Sequence, residues 1–158
     1  MPDDPIFSNA RVYEQIAVEA LDRAQSSLAA HRQPKEDGSE GYVLTGDPTR
    51  ASFKDSMIAM VFAGMTMEAR LWLHGCDRLG DAQYKPIDAK ALELRLVPLG
   101  IHDVGLADDM KAFRLARKAL VHEKALPLSR DRSPILVAQD EAAKAVVLMM
   151  RLIGSLES

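Results

Sequence analysis

The sequence predicts an all-α protein: an up-down four-helix bundle with a short extra helix and a long first loop. Three observations carry that expectation. Four long segments repeat their apolar residues at helical spacing. Only one stretch, YVLT at 42 to 45, has the composition of a strand. Residues 32 to 50 hold two prolines and three glycines and read as one long loop between the first two helical segments. The 158 residues carry no internal repeat, have the size of one domain spanning 1–158, and are 47% hydrophobic, enough for a core of its own.

The first segment runs from about Ser8 to His31, with Ser8 as candidate N-cap and an apolar stripe of Val12, Ile16, Ala20, Ala24 and Leu28. The second runs from about Ser52 to Leu79. Its apolar residues, from Met57 and Ile58 through Phe62 to Leu71 and Trp72, point nearly all round, as in a central helix, with the methionines as core filler. Gly75, Gly80 and Pro86 are expected to close it. A short helix follows from Asp88, as N-cap, to about Leu96, with Pro98 after it. The third long segment runs from about Leu106 to Lys124, acidic at Asp108 and Asp109, basic at its end, and followed by Pro127. The fourth runs from about Asp140 to Leu156, with Val146, Val147, Met149, Met150 and Ile153 expected to face in.

Several function classes have no support in the residues. The single cysteine, Cys76, excludes an internal disulfide and fits a reducing cytoplasm. MPDDPIFSNA lacks the apolar run of a signal peptide, and the longest apolar stretch, MIAMVFAGMTMEARLWL, is broken by Glu68 and Arg70, so no membrane span is expected. The four histidines, His31, His74, His102 and His122, never pair at i+4, and HGCD at 74 to 77 has no second cluster, so neither a metal nor another cofactor is expected. No phosphate-cradling glycine loop and no nucleophile elbow is present.

Charge is the informative feature. The chain is −3 overall, yet residues 111 to 132 hold Lys111, Arg114, Arg117, Lys118, Lys124, Arg130 and Arg132 against Glu123 and Asp131, a net +5, leaving the remaining residues at −8. A basic island in an acidic chain suits a phosphate ligand; cations also simply favour helix C-termini. His122 is the only histidine in the island. Arg114, Arg117 and Lys118 are placed to bind a phosphate and stabilise developing negative charge, and a histidine is suited to general acid–base work. Those two functions suffice for RNA cleavage without a metal, the 2′-OH attacking its own phosphate to leave a 2′,3′-cyclic end. On a straight helix Arg117 and His122 stand about 140° apart, so the helix must end between them for both to reach one site. The alternative is a capping histidine and a solvated arginine. Glu68, a carboxylate in a helix expected to be buried, is costly unless paired, with Arg117 or His122 as partner; it either orients the site, forms an ordinary ion pair or faces a groove. Arg70 and Trp72, just beyond it, suit packing or a dimer face.

The segment FRLARKALVHEKA resembles the signature of the HEPN domain superfamily, an arginine and a histidine separated by four to six residues; Arg117 and His122 have four between them. SFKDSMIAMVFAGMTMEARLWLHG resembles that family's second helix, and the order of helices agrees over most of the chain. The resemblance implies an α-helical bundle that dimerises, with two copies of the motif forming one metal-independent RNase site across the dimer. It further implies a toxin of a toxin–antitoxin or phage-defence system, paired with a nucleotidyltransferase-like antitoxin. On this reading Arg117 orients and stabilises the scissile phosphate, His122 is base or acid, and Glu68, Lys118 and Arg114 support them. Lys118 departs from the small polar residue that usually follows the arginine in active members. Some relatives are non-catalytic binding modules, which is the alternative here, beside a plain helical interaction protein.

Overall fold

The structure, a computed structural model, describes residues 8–121 and 134–157. The chain is mostly helical, with one small two-stranded sheet. Helix α1 spans Ala10–Ala30, α2 Ala51–Leu79, α3 Asp81–Asp88, α4 Val104–Val121 and α5 Pro134–Leu156. Strands β1, Arg32–Pro34, and β2, Tyr42–Leu44, pair antiparallel with Arg32 opposite Leu44. The expected loop at 32–50 is therefore partly a hairpin, and the Thr45 N–H closes it by donating to the His31 carbonyl at 2.8 Å.

Helix α2 is the centre, packed against both α1 and α5. Helices α1 and α2 run antiparallel, since Arg23 meets Asp55 at 3.1 Å while Glu14 meets Arg70 at 2.8 Å. Helices α4 and α5 also run antiparallel: Arg151 reaches back to Asp103 and Asp109, whereas Lys144 and Glu141 share a groove with Phe113. Helices α2 and α5 run parallel, with the Gln139 amide donating to the Ser52 hydroxyl at one end and Arg70 and Ile153 in a shared depression farther along. The core between them holds Met60, Met67, Leu71, Leu106, Met110, Met149 and Leu152, all fully buried.

Several expected details are corrected. In α1 the buried stripe is Ala10, Ala17, Ala20 and Ala24, while Val12 is 53% exposed. Ala17 and Ala20 of α1 share the core with Ala59 and Ala63 of α2, while the larger Val18 and Leu21 pack against its edge. The N-cap is Asn9 rather than the expected Ser8, although the Ser8 hydroxyl accepts the Ala10 N–H at 3.1 Å. Gly75 lies within α2, and Gly80, with φ of 80°, ends it. Asp88 does not start a helix; it is the last residue of α3, which tolerates Pro86 because a proline near the end of so short a helix removes one backbone bond. Two 3₁₀ turns, Leu92–Arg95 and Val97–Leu99, replace the expected helix to Leu96. Helix α5 begins six residues earlier than Asp140. On it Val146, Met149 and Ile153 face in, but Val147 is 68% and Met150 49% exposed, because α5 buries only the faces turned to α2, α1 and α4. The last residues expected in the third segment, 122 to 124, and Pro127 lie outside the described residues.

Among the described residues no helix is long and apolar enough to cross a membrane.

Candidate functional site

Arg117 stands one turn before the end of α4, and its side chain crosses to α2. Nη1 donates to Glu68 Oε1 at 3.1 Å. The rest of the guanidinium lies on Gly64. A β-carbon at Gly64 would stand 2.7 Å from Nη1 and 3.0 Å from Cζ, so any side chain there would displace the arginine. Gly64 and Glu68 are four residues apart and so share one face of α2. One provides room and the other a charge. A glycine inside a helix costs about 0.5–1 kcal/mol against alanine, and the seat for Arg117 gives Gly64 a local reason.

The Arg117 side chain keeps 29% of its surface exposed and Glu68 keeps 49%. Glu68 is thus at the seam between α2 and α4 rather than buried as expected, and its pairing with Arg117 is a partly solvated contact worth at most about 1 kcal/mol. Its role is directional: the carboxylate fixes where the guanidinium points. Lys118, next on the helix, is exposed.

Arg114, one turn earlier, is engaged elsewhere. Its Nη2 and Nε donate to Glu93 Oε1 and Oε2 at 2.7 and 3.0 Å, a two-pronged contact to the 3₁₀ turn Leu92–Arg95. The Arg114 guanidinium holds the Glu93 carboxyl below the usual carboxylate range. Arg114 therefore fastens α4 to the 3₁₀ turn and does not join Arg117 at Glu68. His122, Lys124, Arg130 and Arg132 lie outside the described residues.

Other candidate chemistry disperses. In HGCD, Cys76 donates to Asp81 Oδ1 at 3.3 Å, and burial together with that carboxylate pushes its thiol up to about 11. A thiol so raised is a poor nucleophile. Arg70 is taken up by Glu14, and Trp72 packs against the core from the half-buried side of α2. Among the described residues no group of three or more histidine, cysteine or carboxylate side chains is placed to hold a metal ion.

Two contributors went unread in the sequence. Gly64 had a signal, as an isolated glycine inside an apolar helical run. Glu93 had none, since its contact spans 21 residues through irregular turns.

Compared with known proteins, the chain matches no family model, no curated protein and no solved structure.

Proposed function

We propose that the chain is a metal-independent endoribonuclease of HEPN type, an up-down four-helix bundle that acts as a cytoplasmic homodimer with Arg117 and His122 as its catalytic pair. The observation that carries this reading is the seat of Arg117. A cation near the end of α4 is held by a carboxylate and a bare glycine of the neighbouring helix, with its outer edge open to solvent. Such an arginine is set in place before a phosphate arrives, which lowers the ordering cost of binding. In the proposed reaction His122 takes the proton from a ribose 2′-OH. The oxygen attacks the adjacent phosphorus, Arg117 stabilises the charge on the phosphorane, and the P–O5′ bond breaks as the 5′-oxygen takes a proton back from the imidazolium of His122. The products are a 2′,3′-cyclic phosphate and a 5′-hydroxyl. A two-fold axis would bring two such pairs to one site. A nucleotidyltransferase-like antitoxin is the partner this reading expects, with the chain as the toxin.

A second reading has its own support. Arg117 and Arg114 both already carry carboxylate partners, and Lys118 follows the arginine where a small polar residue suits turnover. That arrangement suits a non-catalytic binding or regulatory module that takes a nucleotide or an acidic partner.

The discriminating experiment is cleavage of end-labelled single-stranded RNA in excess EDTA by wild type, His122→Ala and Arg117→Ala. Cleavage by wild type alone, with 2′,3′-cyclic ends, supports the nuclease. Binding that Arg117→Ala weakens, without product from folded dimeric wild type, supports the module. Indifference to both substitutions overturns both readings.

A further inference from the structure

Arginine side chains on α2, α4, α5 and the first 3₁₀ turn are each met by a carboxylate: Arg70 by Glu14, Arg95 by Asp88, Arg114 by Glu93, Arg117 by Glu68 and Arg151 by Asp103 and Asp109. Arg78, in the last turn of α2, is the exception, with no ion pair or hydrogen bond to any described residue. Its guanidinium instead lies along Gly100, whose φ of 77° turns the backbone, with Nη2 at 3.1 Å from where a β-carbon would stand. It lines an open depression of about 340 Å³ together with His74, one turn back on α2, and His102, in the segment between the second 3₁₀ turn and α4. Neither imidazole has a hydrogen-bond partner among the described residues. Asp103 borders the same depression, yet its carboxylate is committed: it accepts from Arg151 Nη2 at 2.7 and 2.8 Å and from the Leu106 N–H at 2.9 Å. The depression therefore gathers one guanidinium and two imidazoles whose nitrogens have no hydrogen-bond partner among the described residues, beside a carboxylate engaged by Arg151, which it shares with Asp109.

We propose that this depression is an anion site for a phosphate dianion, either free or as the terminal group of a small phosphomonoester, held by Arg78, His74 and His102. A carboxylate would be satisfied by the arginine fork alone, whereas a phosphate presents three oxygens to donors arriving from different elements. The volume is at the lower end of small-molecule sites, roughly 300–1,000 Å³, which suits a single phosphorylated group rather than a nucleic-acid strand. The site is separate from Arg117. It sits at the opposite end of α4, where 14 residues of helix span about 21 Å, so it stands or falls independently of the nuclease reading.

The test is titration of the full chain with inorganic phosphate, adenosine 5′-monophosphate and adenosine, read by calorimetry and by the imidazole carbon–proton NMR signals of His74 and His102. Either phosphate-bearing probe should bind and move both signals, and adenosine should not; which of the two binds more tightly tells free phosphate from monoester. Arg78→Ala should weaken binding about tenfold or more, as expected for loss of a charge-assisted contact. His102→Gln should weaken it while far-ultraviolet circular dichroism stays that of wild type. Absence of binding to wild type at millimolar probe, or equal binding by Arg78→Ala, overturns the proposal.

Discussion

The guanidinium of Arg117 rests on the bare backbone of Gly64, so close that a β-carbon there would stand 2.7 Å from Nη1. Gly64→Ala therefore sets two effects against each other. Alanine raises helix propensity by about 0.5–1 kcal/mol. The atom it meets is the far end of a flexible side chain, which swings away at little cost. Thermal unfolding should show a melting temperature equal to or slightly above wild type, while RNA cleavage falls about tenfold or more because Arg117 has lost its seat. A large fall in melting temperature would mean that Arg117 cannot move and that Gly64 serves the fold.

Gly75 offers the contrast eleven residues along the same helix. A β-carbon there would lie 2.3 Å from the ring of Tyr84, which is fully buried in the core. A buried ring cannot swing aside, so Gly75→Ala should destabilise the protein by about 2–3 kcal/mol through overpacking. Urea unfolding gives the number. A change below about 0.5 kcal/mol would show that α3, which carries Tyr84, shifts freely against α2.

Glu68 separates charge from direction at the candidate site. Its contact with Arg117 is half exposed, so Glu68→Gln should alter stability by less than about 1 kcal/mol. It also removes a negative charge beside a phosphate-binding arginine. RNA binding measured by fluorescence anisotropy should tighten, while single-turnover cleavage slows because the guanidinium is no longer aimed. Weaker binding together with slower cleavage would assign Glu68 a direct contact with substrate.

The extents of the long helices were legible because apolar residues recur at helical spacing, and α1 and α2 begin and end within two residues of their expected bounds. Which residues those helices bury was less legible. Recurrence near i, i+4 puts Val12 and Ile16 on the apolar stripe of α1 and leaves Ala17 off it. In the core that α1 and α2 share the buried residues of α1 are all alanines, Ala10, Ala17, Ala20 and Ala24, with Ala59 and Ala63 on α2. Val147 and Met150 were misassigned for a related reason: spacing fixes a face but not how wide a face the neighbours cover. The sequence offers Arg117 or His122 as the partner of Glu68 on the premise of a buried carboxylate; the contact with Arg117 forms, yet Glu68 is half exposed, so burial does not enforce it. The commitment of Arg114 to Glu93 was not legible, because 3₁₀ turns carry no periodic signal.

The start of α2 gives a prediction in pH. Asp47 accepts from the Thr49 hydroxyl at 2.7 Å, from the Thr49 N–H at 2.9 Å and from the Ala51 N–H at 2.7 Å, so it caps the first turn. The Thr49 hydroxyl foremost, with those N–H groups, holds its carboxyl at about 2. The folded state thus binds this proton more weakly than the unfolded chain, where an aspartate titrates near 3.9. The stabilisation is complete above that unfolded value and is lost as pH falls through about 2. Asp103, held low by the Leu106 N–H and by Arg151, adds a loss of the same sign at the start of α4. Asp47→Asn, which imitates the protonated acid, should melt below wild type at pH 7. The gap should narrow from pH 4 to pH 2, while the wild type itself loses stability over that range. Melting temperatures at pH 7, 4 and 2 by circular dichroism check both points, and a gap of constant size would show that the carboxylate charge has no part in the cap.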